Sequence, residues 1–191
     1  MTVIDLLDTA REVQDFCDQH AWHSCFIGGI AVQRWSQARV TRDVDLTLIT
    51  GFGQEASFIE ALLGHYTPRT ADPAQFALRS RVLLLRSPSG IGIDVSLGAL
   101  PFEHLVVQRA TLFEFAPGVA LRTCSAEDLM VMKLFASRAI DIRDAEGIAV
   151  RHDKTLDWCY VEAHLRPLAE AKGEPEILRQ LARIRDLSAT L

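Results

Sequence analysis

The stretch "GGIAVQRWSQARVTRDVDLTLI", residues 28–49, sets two aspartates, Asp43 and Asp45, inside an otherwise apolar strand-like run. Side chains alternate along a strand, so both carboxylates point to one face while Val44 and Leu46 point to the other. Their Cα atoms would stand about 6.5–7 Å apart at the strand rise. Left bare on one apolar-backed face, the two would repel each other. A divalent cation removes that repulsion, and the spacing lets both carboxylates converge on one ion or on a pair about 3.5–4 Å apart. Edge-strand aspartates facing water are the plain alternative.

A third carboxylate follows the same pattern. In "GIGIDVSLG", residues 90–98, Ile91, Ile93, Val95 and Leu97 alternate with Gly92, Asp94, Ser96 and Gly98, which makes Asp94 the one charged group on its face. If that strand lies beside the one carrying Asp43 and Asp45, three carboxylates meet. Hard oxygen ligands of this kind suit Mg²⁺ or Mn²⁺, with waters and substrate phosphates completing the shell.

The whole chain can support such a sheet. Its 191 residues are 49% hydrophobic, enough for a sizeable core. Twenty Lys and Arg against 25 Asp and Glu leave a net charge of −5, so a protein coated in basic charge for duplex DNA is excluded and any nucleic-acid contact is local or metal-mediated. The first residues are amphipathic and acidic, unlike a signal peptide, and no apolar stretch approaches the ~20 residues of a membrane span. A cytoplasmic protein with no membrane partner is expected. "CDQHAWHSC" gathers Cys17, His20, His23 and Cys25, yet its spacing fits no zinc pattern. Core cysteines and a helix-end histidine pair explain it better.

Helical periodicity runs through Leu6, Leu7, Ala10, Val13 and Cys17, opened by Thr2 and Asp5 in capping-box spacing. "SCFIGG" reads as a short buried strand, "IAVQRWSQ" as a short helix and "GQEASFIEALLGH" as a helix ending at Gly64. "RVLLLRSPSGIGIDVSLG" reads as two strands joined around Pro88, Ser89 and Gly90. "PFEHLVVQRA" is a short helix and "TLFEFAPGVALRTC" two short strands. From Ser125, again in capping-box spacing with Asp128, helical patterns dominate. The expected organisation is an α/β (α+β) core over residues 1–124, a mixed twisted sheet flanked by helices, and a C-terminal helical part over 125–191.

Gly28 and Gly29 end a strand and start a helix, where backbone can approach a bulky anion and helix N-terminal amides can donate to phosphate. The order is a glycine pair, thirteen residues, D-x-D and a later lone aspartate in a strand. It resembles the DNA polymerase β-like nucleotidyltransferase superfamily. It is most similar to the small bacterial AbiEii-like nucleotidyltransferases, which include toxins. "RVTRDVDLTL", with Arg39, Thr41, Asp43 and Asp45, looks like their R-x-T/S-x-D-x-D-hydrophobic segment. "SAEDLMVMKLFASRAIDIRDAEGI" is similar to their stretch of acidic helix start, lysine, arginine and D-x-x-D, on Glu127, Asp128, Lys133, Arg138, Asp141 and Asp144.

The resemblance implies a polymerase β-like fold in which Asp43, Asp45 and Asp94 hold two Mg²⁺ ions (or Mn²⁺). A nucleoside triphosphate such as ATP would be met by Gly28, Gly29, Arg39, Thr41 and Lys133, and Asp94 would help deprotonate the acceptor. That acceptor is an RNA such as tRNA, a protein hydroxyl or a small molecule of the aminoglycoside type; an antitoxin is a further implied partner. A non-catalytic nucleotide- or partner-binding module on the same fold is the rival. Lys133 sits in the apolar run "LMVMKLFA", where a cation needs a partner, a snorkelling path or a phosphate. On one continuous helix Asp144 would lie about 16 Å from it. The two touch only if the helix breaks near Ala139, and Asp144 is then a weaker site candidate.

Overall fold

The computed structural model describes residues 3–152 and 154–188 and divides into two compact units. The first takes the chain through Ile30 and again from Val40 to Cys124; the second takes Ala31–Arg39 and the chain from Ser125 onward. Thr2, and with it the first capping box, lies outside the described residues.

The first unit is built on a seven-stranded mixed sheet. Its strands are β1 (Ser24–Phe26), β2 (Asp43–Ile49), β3 (Thr67–Pro68), β4 (Val82–Arg86), β5 (Gly92–Gly98), β6 (Thr111–Ala116) and β7 (Val119–Thr123), in the order β3-β4-β5-β2-β1-β7-β6. β2 pairs parallel with β5 and antiparallel with β1; β4 pairs antiparallel with β5. Alternation decides the two faces. Val44, Leu46 and Leu48 of β2 align with Ile93, Val95 and Leu97 of β5 and with Leu83 and Leu85 of β4, and all are buried in one apolar cluster. Helix α1 (Val3–Gln19) adds Leu6, Leu7, Ala10, Val13 and Cys17 to that cluster, on the helical period expected of them.

The opposite face is mixed. Cys25 of β1 lies opposite Thr47 of β2, both buried, and the Cys25 thiol reaches the Val106 carbonyl of helix α5 (Pro101–Arg109). Further along the same face come Asp45 and Asp43, only half-buried. Beyond the sheet, helix α2 (Gly28–Trp35) opens on the glycine pair, α3 (Glu55–His65) runs one residue past Gly64, and α4 (Pro73–Ser80) is a helix the hydrophobic pattern did not suggest. The signal for α4 was there: Asp72 caps it by accepting the Gln75 N–H, with Pro73 in its first turn.

The second unit carries α6 (Ala126–Ala136), α7 (Ala139–His152), α8 (Trp158–Lys172) and α9 (Glu176–Ser188). Ser125 caps α6 by accepting the Asp128 N–H at 3.1 Å, as its spacing predicted. α6 stops at Ser137, whose φ of 57° is left-handed and whose N–H still bonds the Lys133 carbonyl. A new helix begins two residues later. Apolar side chains Leu129, Met130, Leu134, Ile148, Val161, Leu165 and Ile184 bury the faces these helices turn to one another. No helix among the described residues is long and apolar enough to cross a membrane.

Leu46 lies at the centre of the first unit's core, so Leu46→Ala should cost about 2–5 kcal/mol of unfolding free energy. Urea unfolding followed by circular dichroism measures it; a loss under about 1 kcal/mol would contradict the packing described.

Candidate functional site

The D-x-D strand delivers its carboxylates where alternation put them. β2 and β5 run parallel with Asp43 opposite Gly92 and Asp45 opposite Asp94, so all three aspartates occupy one face of two neighbouring strands. Two of the carboxylates already have partners. The Gly29 N–H donates to Asp45 Oδ2 at 3.4 Å, and the Arg69 guanidinium donates to Asp94 Oδ1. Among the described residues, no three His, Cys, Asp or Glu side chains are gathered as a metal cluster. The trio shares a face and a register, and Asp45 and Asp94 each have a partner of their own.

The electrostatics of that face are unbalanced. Burial is the main reason the Asp94 carboxyl is raised above the usual carboxylate range; the Arg69 charge pulls it back down, and the negative charge of Asp43 pushes it up. A group whose ionised form is disfavoured in part by a neighbouring carboxylate is one that a further cation would relieve. The donor set is all hard oxygen, on adjacent strands in register. It therefore fits a small divalent cation by its chemistry.

The glycine pair is explained by close approach. A Cβ on Gly28, whose φ is +54°, would collide with the Asp45 carboxylate, and one on Gly29 would collide with the Thr41 hydroxyl. Thr41 and Asp45 are thus packed over the first turn of α2. Gly92 plays the same part on β5, since a Cβ there would meet the Asp43 carboxylate and a guanidinium nitrogen of Arg69. Sequence reading missed both Gly92 and Arg69. Gly92 was marked by its place two residues before Asp94 on the same face. Arg69 had no sequence signal: only the pairing of β3 with β4 brings it beside Asp94.

In the helical unit, the break between α6 and α7 brings together what a continuous helix would hold apart. The Lys133 ammonium lies 2.9 Å from Asp141 Oδ1 and 2.8 Å from Asp144 Oδ2, and the lysine is buried. Arg39 grips Asp144 with Nε at 2.9 Å and Nη2 at 3.0 Å, and Arg138 donates to Asp141. Burial alone would raise both aspartates; the hydrogen bonds and charges of Arg138 and Lys133 hold Asp141 below the usual range, and those of Arg39 and Lys133 do so for Asp144. The Ser36 hydroxyl donates to the Asp144 carbonyl, and a Cβ on Gly147 would strike it. The sequence singled out Arg39, Lys133, Asp141 and Asp144 separately. Their joining into one network was visible only as the condition that the helix break.

The cysteine–histidine stretch is structural. Burial lifts the Cys17 thiol to about 11, far from the thiolate a metal would need, and the His20 ring packs 4.3 Å from Phe16 and 4.7 Å from Trp22.

Comparison with known proteins supplies the family. A family model described as "Nucleotidyl transferase AbiEii toxin, Type IV TA system" matches residues 16–152. No curated protein matches the chain significantly. Among solved structures, an antigenic nucleotidyltransferase-like protein from Paracoccidioides brasiliensis is similar over 93% of this chain and 92% of its own, with a TM-score of 0.51 at 16% identity, which shows the fold. The antibiotic-resistance factor ANT(2'')-Ia aligns with 100% of this chain and 94% of its own, with a TM-score of 0.46 at 13% identity.

Removing the cation at the centre of the helical network tests its electrostatics. Lys133→Met leaves two buried carboxylates short of a partner and should cost about 3–5 kcal/mol. Because both aspartates are held low in the folded state, their contribution to wild-type stability is complete above the unfolded carboxylate value of about 3.9 and fades as pH falls through the folded values. In Lys133→Met the folded values move up toward the unfolded one, so less stability should be lost on acidification and the acid limb should be shallower. Urea unfolding between pH 3 and 7 reads both; a superimposable acid limb would refute the network.

Proposed function

The chain belongs to the AbiEii nucleotidyl transferase family, and we propose that it moves a nucleoside monophosphate from a nucleoside triphosphate, ATP included, to an acceptor hydroxyl at the β2–β5 carboxylates. The observation that carries this reading is the register that sets Asp45 opposite Asp94, with Asp43 two residues away on the same face. Nothing about the core requires three acids there; the apolar sides of both strands already fill it. They are instead the hard-oxygen set that would hold divalent metal, Mg²⁺ or Mn²⁺. When bound, such a cation neutralises the clustered carboxylate and triphosphate charge and makes the α-phosphorus more open to attack.

The chain's own residues then have distinct tasks. Asp94, raised by burial, accepts the acceptor's proton as its oxygen closes on the α-phosphorus. The new bond is between the acceptor oxygen and the α-phosphorus. The bond that breaks joins that phosphorus to the bridging oxygen, and pyrophosphate leaves. The amides opening α2 at Gly28 and Gly29, with the Thr41 hydroxyl beside them, offer hydrogen bonds to phosphate oxygens. Arg39 and Lys133 are the cations we assign to triphosphate contact. Both are also bonded to Asp144, so either meets phosphate at the expense of that pairing.

The family description names a toxin of a type IV toxin–antitoxin system. Carried to this chain, it points to an acceptor whose modification halts growth, an RNA such as tRNA or a protein, and to an antitoxin that relieves the effect.

Incubation with each labelled nucleoside triphosphate, Mg²⁺ and total cellular RNA or protein should yield labelled macromolecule. Asp43→Ala and Asp45→Ala should each drop transfer below roughly one per cent of wild type while remaining folded. Nucleotide binding without transfer, across all four triphosphates, would sink the enzymatic reading in favour of a binding module.

A further inference from the structure

Among the described residues of the first unit, Arg69 is the cation that pairs with Asp94. We propose that Arg69 is a positioning residue: a built-in counter-ion of Asp94 that competes with divalent metal and so sets the concentration at which the carboxylate face fills. The proposal rests on the reading of Asp43, Asp45 and Asp94 as metal ligands.

The placement of Arg69 is fixed by backbone. The Arg69 N–H donates to the Leu84 carbonyl at 3.0 Å, and Leu84 stands opposite Asp94 in the β4–β5 register. From there one guanidinium nitrogen bonds Asp94 Oδ1, and another lies beside the place where Gly92 lacks a Cβ, next to Asp43. The guanidinium thus stands where positive charge is needed between two of the three carboxylates. It cannot vacate that place by losing a proton, because an arginine stays charged in proteins. A dication arriving at Asp94 must break the pair or tolerate a like charge beside it.

Two features make the pair breakable. The Arg69 and Asp94 side chains keep 24% and 33% of their surface exposed, so water can take over either partner. The pairing is also incomplete: the buried Nε–H of Arg69 has no hydrogen-bond partner among the described residues, so those residues do not lock the guanidinium in a closed set of bonds.

Mn²⁺ binding to the nucleotide-free protein, read from the electron paramagnetic resonance signal of free Mn²⁺, tests the competition without relying on turnover. Arg69→Gln should bind Mn²⁺ roughly tenfold more tightly than wild type, since a charge-assisted pair no longer has to be broken. Arg69→Lys, which keeps the charge but loses the fork, should tighten it by about two- to threefold on the same reasoning. Asp94→Asn should weaken binding. If Asp94→Asn loses affinity while folded Arg69→Gln matches or falls below wild type, the role of Arg69 is overturned and the metal reading stands. If no variant binds Mn²⁺, or Asp94→Asn binds as wild type does, the metal reading falls and takes this proposal with it. Should Arg69→Gln fail to fold by circular dichroism, an unchanged affinity in Arg69→Lys overturns the competition by itself.

Discussion

The parallel pairing of β2 with β5 is the constraint from which the chemistry of the sheet follows. It aligns Val44, Leu46 and Leu48 with Ile93, Val95 and Leu97 on one side, and by the same alternation it must bring Asp43, Asp45 and Asp94 together on the other. A slip of one residue in either strand would bury carboxylates in the core, so the apolar packing and the acidic face are specified by one register. Like charges on neighbouring strands are unfavourable at this spacing. The fold offsets that with a backbone amide from Gly29 and the Arg69 guanidinium, while Gly28 leaves room for Asp45, Gly29 for Thr41 and Gly92 for Asp43 and Arg69.

The helical unit solves a different problem with the same means. Lys133 is buried, and a buried ammonium without partners would be prohibitive. Ending α6 at Ser137 and restarting the chain as α7 turns Asp141 and Asp144 onto it, with Arg138 and Arg39 bonded to the same two carboxylates. Such networks are weak arguments for net stability, because desolvation consumes much of the attraction. Their firmer consequence is geometric. Four charged side chains from α6, α7 and the segment before β2 can satisfy one another in few arrangements, and that fixes the α6–α7 corner.

Much of this was legible before any coordinates. β2, β5 and the core face of α1 could be read because periodicity is a direct image of burial, and the capping pair Ser125 and Asp128 because its hydrogen bond is local. The fold class could be read for the same reason. Arg69 could not, since its partner is reached through strand pairings with no local signature. The Lys133–Asp144 contact could not either, because it depends on a helix break that no proline or glycine marks; Ser137 adopts the left-handed conformation without a sequence cue as strong as glycine. α4 was missed for a weaker reason: the Asp72–Pro73 start signal was present, but eight residues are too few for a clear apolar stripe.

The glycine pair answers to two demands at once. Read from sequence, Gly28 and Gly29 make room for an incoming anion. In the folded chain that room is already bordered by the Asp45 carboxylate and the Thr41 hydroxyl, which a Cβ at either glycine would strike. Both causes demand the same residue, so loss of function in an alanine variant there would not separate phosphate approach from misplacement of Asp45. The two differ in which atom is disturbed: phosphate approach depends on the amides of α2, carboxylate placement on the side chain of β2. Gly28 is bound by a further constraint, its positive φ, which strains an alanine even where space exists. Gly29 has no such restriction and stands against a hydroxyl that can be trimmed. Shortening Thr41 would restore room at Gly29, but Thr41 is itself a proposed phosphate donor and the Gly29 N–H bonds Asp45, so neither glycine separates backbone approach from the acidic face.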